Sequence, residues 1–171
     1  SEDKWHVVIP RFQSSISAKS VDYSPDGSLI VVSHGEDRCF SLWTREGLLL
    51  RIVPTSDSCV HASFLQDGNT IVTAAGRSLS FWNISGQCLE KVDFPINSKF
   101  VPAVKDFLGA AASPDRKTIA VLDCHGLMVY NISAKVLTVW KGNNRQPSSC
   151  TFSPDGKFMA LTFYNSCLQI V

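Results

Sequence analysis

The hydrophobic residues of the chain are gathered in short runs, and polar turn residues separate one run from the next. The runs at 29–32, 70–73 and 118–121 are rich in Val, Ile and Thr, which favour strands. The sequence Ser-Pro-Asp-Gly at 24–27 suits a tight turn, since Pro presets φ, Asp bonds backbone amides and Gly accepts positive φ. Helical periodicity is absent from every stretch of about ten residues or more. The pattern therefore predicts an all-β protein.

One unit of this pattern recurs four times along the chain. Its turn aspartates, spaced by 41, 48 and 40 residues, are Asp26, Asp67, Asp115 and Asp155. The positions that close its third strand-like run, spaced by 39, 48 and 40 residues, are Trp43, Trp82, Tyr130 and Ile170. Two independent markers keep the same period, and a period near 40 with several short strands is the signature of a propeller blade.

These motifs resemble the WD40 repeat, and the resemblance covers essentially the whole chain. The shared elements are the Ser-Pro-Asp-Gly turn, the small or apolar second strand, and a third strand that ends Leu-Trp-Thr, Phe-Trp-Asn or Val-Tyr-Asn. The sequence has no Trp-Asp dipeptide and no Gly-His dipeptide, so the blades are degenerate and the family's usual hydrogen-bond network is expected to be incomplete. The resemblance implies a β-propeller of four-stranded antiparallel blades, whose cohesion depends mainly on apolar packing between sheets.

The expected blades span 18–54, 58–94, 107–141 and 147–171, within a single propeller segment at 1–171. The fourth blade has only three strands. Residues 5–10 are expected to form an orphan strand, and the resemblance implies that it is a closing outer strand, within this chain or across to a second copy.

Four blades are fewer than the roughly seven or eight of a typical WD40 ring, and exposed apolar end faces need a cover. Three solutions are open. The chain is a fragment or has its ring completed by a partner chain, two copies form an eight-bladed homodimer, or four blades close as a monomer.

Composition narrows the classes of partner. The net charge of +1 lacks the basic excess of a general nucleic-acid binder or a polybasic membrane-surface module. No apolar stretch approaches the ~18 residues of a membrane span, and no signal peptide is visible. The six cysteines are widely and unevenly scattered, without a Cys-x-x-Cys pair, so we expect free thiols and an intracellular location, cytoplasmic or nuclear.

Two stretches contain residue types that are common in catalytic or metal sites, but both are better explained as turns. The stretch 34–38, His-Gly-Glu-Asp-Arg, offers a base beside carboxylates, and 123–126, Asp-Cys-His-Gly, offers two soft metal ligands. Both fall between the second and third strands of a blade, where small and acidic residues are usual in this family. With no nucleophile elbow, phosphate loop or paired ligand spacing, we expect no catalytic, metal or cofactor site.

The resemblance implies a non-catalytic protein–protein interaction scaffold that binds protein or peptide partners through its inter-blade loops. The candidate protein-binding residues carry charges of both signs and two exposed-looking aromatics: Glu36, Asp37, Arg38, Arg77, Lys99, Phe100, Asp123, His125, Arg145 and Tyr164. The alternative is a structural or regulatory propeller portion of a larger multidomain protein, such as a nucleotide-switched adaptor, or of a multi-subunit complex.

Overall fold

The structure is a computed structural model, and it describes residues 18–94, 107–124, 126–141, 146–164 and 167–171. Several sequence predictions lie outside these residues: the closing strand at 5–10, and the candidate binding residues Lys99, Phe100, His125 and Arg145.

The described residues form four antiparallel sheets in which each strand pairs with the next one along the chain. The first sheet contains β1 (Ala18–Tyr23), β2 (Leu29–His34), β3 (Cys39–Thr44) and β4 (Leu49–Pro54). The second contains β5 (Cys59–Phe64), β6 (Thr70–Ala75), β7 (Ser78–Asn83) and β8 (Cys88–Asp93). The third contains β9 (Gly109–Ala112), β10 (Thr118–Asp123), β11 (Gly126–Asn131) and β12 (Val136–Lys141). The described part of the fourth contains β13 (Pro147–Phe152), β14 (Met159–Phe163) and β15 (Cys167–Ile170).

The sheets follow one another around a common axis, as the blades of a four-blade propeller do. The first strand of each blade lies innermost, since β1 contacts β5, β5 contacts β9 and β9 contacts β13. The all-β propeller predicted from the sequence is confirmed. Within the described elements, extensive contacts join only successive blades, and the first and fourth blades share none of them.

Burial within a blade explains why its middle strands read as apolar runs. Almost every residue of β6 and β10 is buried, because neighbouring blades cover both faces of these strands. The outer strands β4 and β8 are mostly exposed and carry charged residues. Hydrophobic burial therefore runs from blade to blade around the propeller and not outward from one central core.

Three apolar clusters join the successive blades. Phe40 of the first blade and Phe64 and Ile71 of the second belong to one cluster. Leu79 of the second blade and Ile119 of the third belong to the next. The third cluster joins the third and fourth blades and includes Leu122 of β10 and Leu161 of β14. Apolar packing therefore joins each blade to the next one.

The turn aspartates anchor the hairpin that joins the first two strands of a blade. Asp26 accepts a 2.6 Å hydrogen bond from Ser24 Oγ and a 3.1 Å bond from the amide of Ser28. These donors favour the charged carboxylate and lower the pKa of Asp26 to about 2. Gly27 follows at φ 71°, which suits glycine.

Two of the aromatic residues that close third strands bond to buried hydroxyl groups. Trp82 Nε1 donates to Thr73 Oγ1 across 2.9 Å, from the third strand to the second. In the first blade Trp43 Nε1 donates instead to Ser41 Oγ of its own strand, across 2.7 Å, and His34 Nε2 lies 2.8 Å from the same oxygen. The two blades therefore satisfy equivalent indoles with hydroxyl groups at different positions.

Candidate functional site

The turns between the second and third strands of the blades define one face, which we call the loop face (residues 35–38, 76–77, 124 and 164). Glu36, Asp37 and Arg38 are exposed there and lie side by side in one turn of the first blade. This turn is ordered by a bond from the amide of Arg38 to the carbonyl oxygen of Gly35, across 3.3 Å. Tyr164, on the same face of the fourth blade, is 69% exposed.

Arg77 and Asp123 lie against each other and are mostly buried. Arg77 Nη2 is 3.6 Å from Asp123 Oδ2, and the side chains are 17% and 12% exposed. Asp123 Oδ1 also accepts a 2.9 Å bond from the amide of Gly126. The sequence analysis selected both residues as candidate partner contacts. The pair links the second and third blades, and their role as partner contacts stays a prediction. The exposed candidates among the described residues are Glu36, Asp37, Arg38 and Tyr164.

A second arrangement lies at the propeller axis and was missed in the sequence analysis. A cavity of about 450 Å³ is bounded by residues 20–22 of β1, by His61 and Ser63 of β5, and by residues 110–114 and Arg116 of the third blade. We call it the axial cavity. Asp22 lies near the end of β1, and Ser113 and Arg116 lie in the aspartate turn that follows β9. The cavity is therefore displaced toward the face opposite the loop face.

Arg116 joins three blades at one end of the axial cavity. Its Nη1 donates to Asp22 Oδ2 across 2.6 Å and to the carbonyl oxygen of Phe64 across 2.7 Å. Its Nη2 donates to Asp22 Oδ1 and to the carbonyl oxygen of Tyr23, each across 3.2 Å. Arg116 stands where the other three turns have glycine, and it keeps their left-handed backbone at φ 56°. The third turn therefore carries backbone strain and gains a side chain that spans the axis.

Two side chains of β1 bond the free edge of β5. The amide of Ala62 donates to Ser20 Oγ and the amide of Phe64 donates to Asp22 Oδ2, each across 2.9 Å. Ser20 and Asp22 stand six and four residues before the turn aspartate Asp26. This contact could have been found from the sequence, because inner strands otherwise favour small or apolar residues. Hydrophilic residues at these two positions therefore indicate side-chain bonds to the next inner strand.

The same two positions of the second blade are occupied by His61 and Ser63, counted back from Asp67. The Nε2 atom of His61 and the Oγ atom of Ser63 are buried, and neither has a hydrogen-bond partner among the described residues. Burial lowers the pKa of His61 to about 4, so the imidazole is neutral at pH 7.

The described residues offer no group of three or more His, Cys, Asp or Glu side chains arranged to hold a metal ion. The five cysteines whose side chains are described, Cys39, Cys59, Cys88, Cys124 and Cys150, are free thiols. Burial raises the pKa of Cys59 and of Cys150 to about 12. In the part of the chain that the structure describes, no helix is long and apolar enough to cross a membrane.

The fold and the repeating aspartate turns define a β-propeller, and a comparison with protein families agrees with this class. Residues 11–44 match the family model described as WD domain, G-beta repeat, and the described part of this match includes the first three strands of the first blade. A WD40 repeat on a propeller is in general the architecture of a protein-interaction scaffold. A search of curated proteins gave no match.

Solved structures share the fold at low sequence identity. Hydrazine synthase of Kuenenia stuttgartiensis superposes with a TM-score of 0.69 and 14% identity, over 85% of this chain. The chain spans 43% of the length of that structure. At this identity the likeness shows the fold and carries over no activity.

Proposed function

We propose that the protein is a non-catalytic interaction scaffold that binds protein or peptide partners through its loop face. The observation that carries this proposal is the exposed turn of Glu36, Asp37 and Arg38. Three adjacent charged side chains project from a turn whose ends are fixed by strands β2 and β3. A rigid support lowers the entropy lost on binding, and charges of both signs favour a peptide over a uniformly charged polymer.

Tyr164 provides the second contact of the proposed surface. A tyrosine exposed beside an inter-blade loop combines apolar area with a hydroxyl group, and such residues are enriched among those that dominate binding energy. Lys99, Phe100, His125 and Arg145 complete the expected set as predictions from the sequence. The free thiols suit a reducing compartment, and we therefore place this activity in the cytoplasm or nucleus.

Capture of partners from a cell lysate tests the loop face. The bait carries Glu36→Ala, Asp37→Ala and Arg38→Gly, the last because a backbone at φ 51° accepts glycine without strain. The matched control removes Arg45 and Glu46, an exposed pair in the turn at the opposite end of β3. We expect the control to capture the same partners as the wild type and the loop-face variant to lose them at an unchanged melting temperature. Equal capture by both variants contradicts the proposal.

A second candidate function, the structural portion of a larger assembly, is favoured by the exposed apolar residues of the end blades. Val21 on β1 is 66% exposed, and Leu168 on β15 is 65% exposed. Further blades, a partner chain or a second copy would remove this surface from water, with residues 5–10 as the proposed closing strand. Light scattering tests whether a second copy covers this surface, since a mass near twice 18.8 kDa indicates a homodimer and a mass of 18.8 kDa excludes one.

A further inference from the structure

The inner strand of each blade meets the preceding blade through two repeated side-chain positions. We call the side of a blade that meets the preceding blade its leading face, and the other side its trailing face. In β5 the two positions are Ala62 and Phe64, which are fully buried against the first blade. In β1 the same positions are also apolar, but Val21 is 66% exposed and Tyr23 is 53% exposed. The residues at these positions of β9 and β13 pack into the junction with the preceding blade: Ala110, Ala112, Cys150 and Phe152.

The fourth blade shows the converse on its trailing face. The register of β14 and β15 places Leu168 and Ile170 level with Leu79 and Phe81 of the second blade. Leu79 and Phe81 are buried in the junction with the third blade, whereas Leu168 and Ile170 are 65% and 67% exposed. The two ends of the described four-blade unit therefore leave opposite halves of one blade junction open.

The hydrogen bonds between inner strands have the same two open halves. In the first junction, the amides of Ala62 and Phe64 donate to two side chains on the trailing face of the first blade, each across 2.9 Å. Ser149 and Thr151 stand at the same two repeat positions of the fourth blade, where they are exposed. Their hydroxyl oxygens can accept such bonds, as that of Ser20 does. The trailing face of the fourth blade therefore has acceptors for two amides of a further inner strand.

The aspartate turns provide a third match between the two ends. Pro25 Cδ of the first blade lies 3.7 Å from the place where a Cβ atom at Gly68 of the second blade would stand, and the third and fourth blades repeat this contact at the same distance. At Gly27, the turn glycine of the first blade, no atom lies within 4 Å of that place. Pro154, the turn proline of the fourth blade, is exposed. Both halves of this turn contact are thus present in the chain and unoccupied among the described residues.

We propose that a second copy of this chain covers both ends, with the leading face of each first blade packed on the trailing face of the other copy's fourth blade. Four blades from each copy close a ring of eight, within the range of about four to eight blades that propellers adopt. The two interfaces are identical by two-fold symmetry, so each copy fills the open junction of the other. The dimer rests on the second candidate function given above and names the occupant of that surface.

The contacts of this dimer follow from the junctions within one chain. The amides of Val21 and Tyr23 donate to the hydroxyl oxygens of Ser149 and Thr151 of the second copy. The side chains of Val21 and Tyr23 join those at the exposed positions of β15, which removes this apolar surface from water. An unrelated partner would have to reproduce three matched features at the repeat spacing, whereas a second copy already contains them.

Light scattering on a size-exclusion column measures the mass of the full chain and of three variants. Val21→Asp charges the leading face of the first blade, and Leu168→Asp charges the trailing face of the fourth. The control Leu89→Asp charges an apolar position that is 57% exposed on β8, the outer strand of an internal blade. We expect a mass near twice 18.8 kDa for the wild type and the control, and 18.8 kDa for both end-face variants with unchanged circular dichroism. Equal masses for the control and the end-face variants contradict the interface.

An equimolar mixture of the two end-face variants distinguishes this packing from other dimers. Val21→Asp keeps an unaltered trailing face and Leu168→Asp keeps an unaltered leading face, so the mixture can form one of the two interfaces. We expect the mixture to regain a mass near twice 18.8 kDa, although each variant alone is a monomer. A dimer through two leading faces would survive Leu168→Asp alone, and that result contradicts the proposal.

Thr151→Ala measures the inter-strand hydrogen bonds without adding a charge. The dimer contains this bond twice and each bond contributes roughly fivefold to affinity, so the dissociation constant should rise about 25-fold. The control Thr138→Ala, at an exposed position of β12, should leave it unchanged. An equal dissociation constant for Thr151→Ala and the wild type refutes the predicted bonds, and this comparison holds even if the aspartate variants do not fold.

A wild-type mass of 18.8 kDa at every concentration tested overturns the dimer. Capture from a lysate then separates this failure from that of the second candidate function. Loss of a captured protein by Leu168→Asp, but not by Leu89→Asp, means that a different chain covers the trailing face and the assembly role survives. Equal capture by both variants means that the assembly role fails as well. The loop-face variant has an unaltered end face, so its result does not affect either conclusion.

Discussion

Replacing Arg116 by glycine should have two opposing effects on the free energy of unfolding. Glycine removes the strain of a left-handed backbone, which is worth about 1 kcal/mol. It also removes the ion pair with Asp22, whose two side chains are 21% and 24% exposed. Loss of one partner of a buried ion pair costs about 3 to 5 kcal/mol, and we take about 3 because this pair is partly solvated. The expected net effect is a loss of about 2 kcal/mol in the free energy of unfolding, which lowers the melting temperature by roughly 4 to 8 °C.

Urea unfolding followed by tryptophan fluorescence measures this difference, and two further variants separate its parts. Arg116→Ala keeps the strain and loses the ion pair, so it should be about 1 kcal/mol less stable than Arg116→Gly. Gly27→Arg adds an arginine at the equivalent turn, where φ is 71° and no atom lies within 4 Å of an added Cβ. It should cost about 1 kcal/mol from strain alone. An Arg116→Gly protein as stable as the wild type would refute the stabilising role of the ion pair.

Three further predictions concern stability. The pKa of His61 is about 4 in the folded protein and near 6.5 in the unfolded chain, so the unfolded chain takes up a proton first as the pH falls. The wild type should therefore lose up to about 3 kcal/mol of its free energy of unfolding between pH 6.5 and pH 4. His61→Gln should abolish this part of the pH dependence in urea titrations, and an unchanged slope would contradict it. Thr73→Ala leaves Trp82 Nε1 without its acceptor and should cost about 1 to 3 kcal/mol, whereas Thr73→Ser should cost less; equal losses would argue against the hydrogen bond. Leu161→Ala should lower the free energy of unfolding by about 2 to 5 kcal/mol, measured by thermal unfolding, because it leaves a cavity between the third and fourth blades. The control Phe158→Ala, at an exposed position, should have a small effect, and equal losses in the two variants would contradict the inter-blade core.

The local features of this fold are predictable from the sequence because their causes are local. Ser24, Asp26 and Gly27 form a turn through contacts within a few residues, and the same motif repeats along the chain. Each strand pairs with the next one through such turns, so the order of strands in every sheet follows from the order of the runs.

The contacts between blades were not predictable in the same way. Asp22 and Arg116 are 94 residues apart, and their contact depends on how far each blade is rotated about the axis. Arg77 and Asp123 read as exposed turn residues in the sequence, although the twist of the sheets brings them together. The repeat spacing contains no information on that rotation. The exposed Glu36 to Arg38 turn was predictable, because a charged four-residue connection between two apolar strands has nowhere to lie but the surface.

The pairing of every strand with its neighbour in sequence has a consequence for how the chain acquires its structure. Hairpins with short connections close quickly, since little chain entropy is lost when their ends meet. Each completed blade then offers an apolar face to the next one, so folding can proceed from the first blade to the last as the chain leaves the ribosome. Asp22 meets Arg116 only when the third blade has packed. That ion pair is therefore a marker of late folding, formed after the hairpins that carry its two residues.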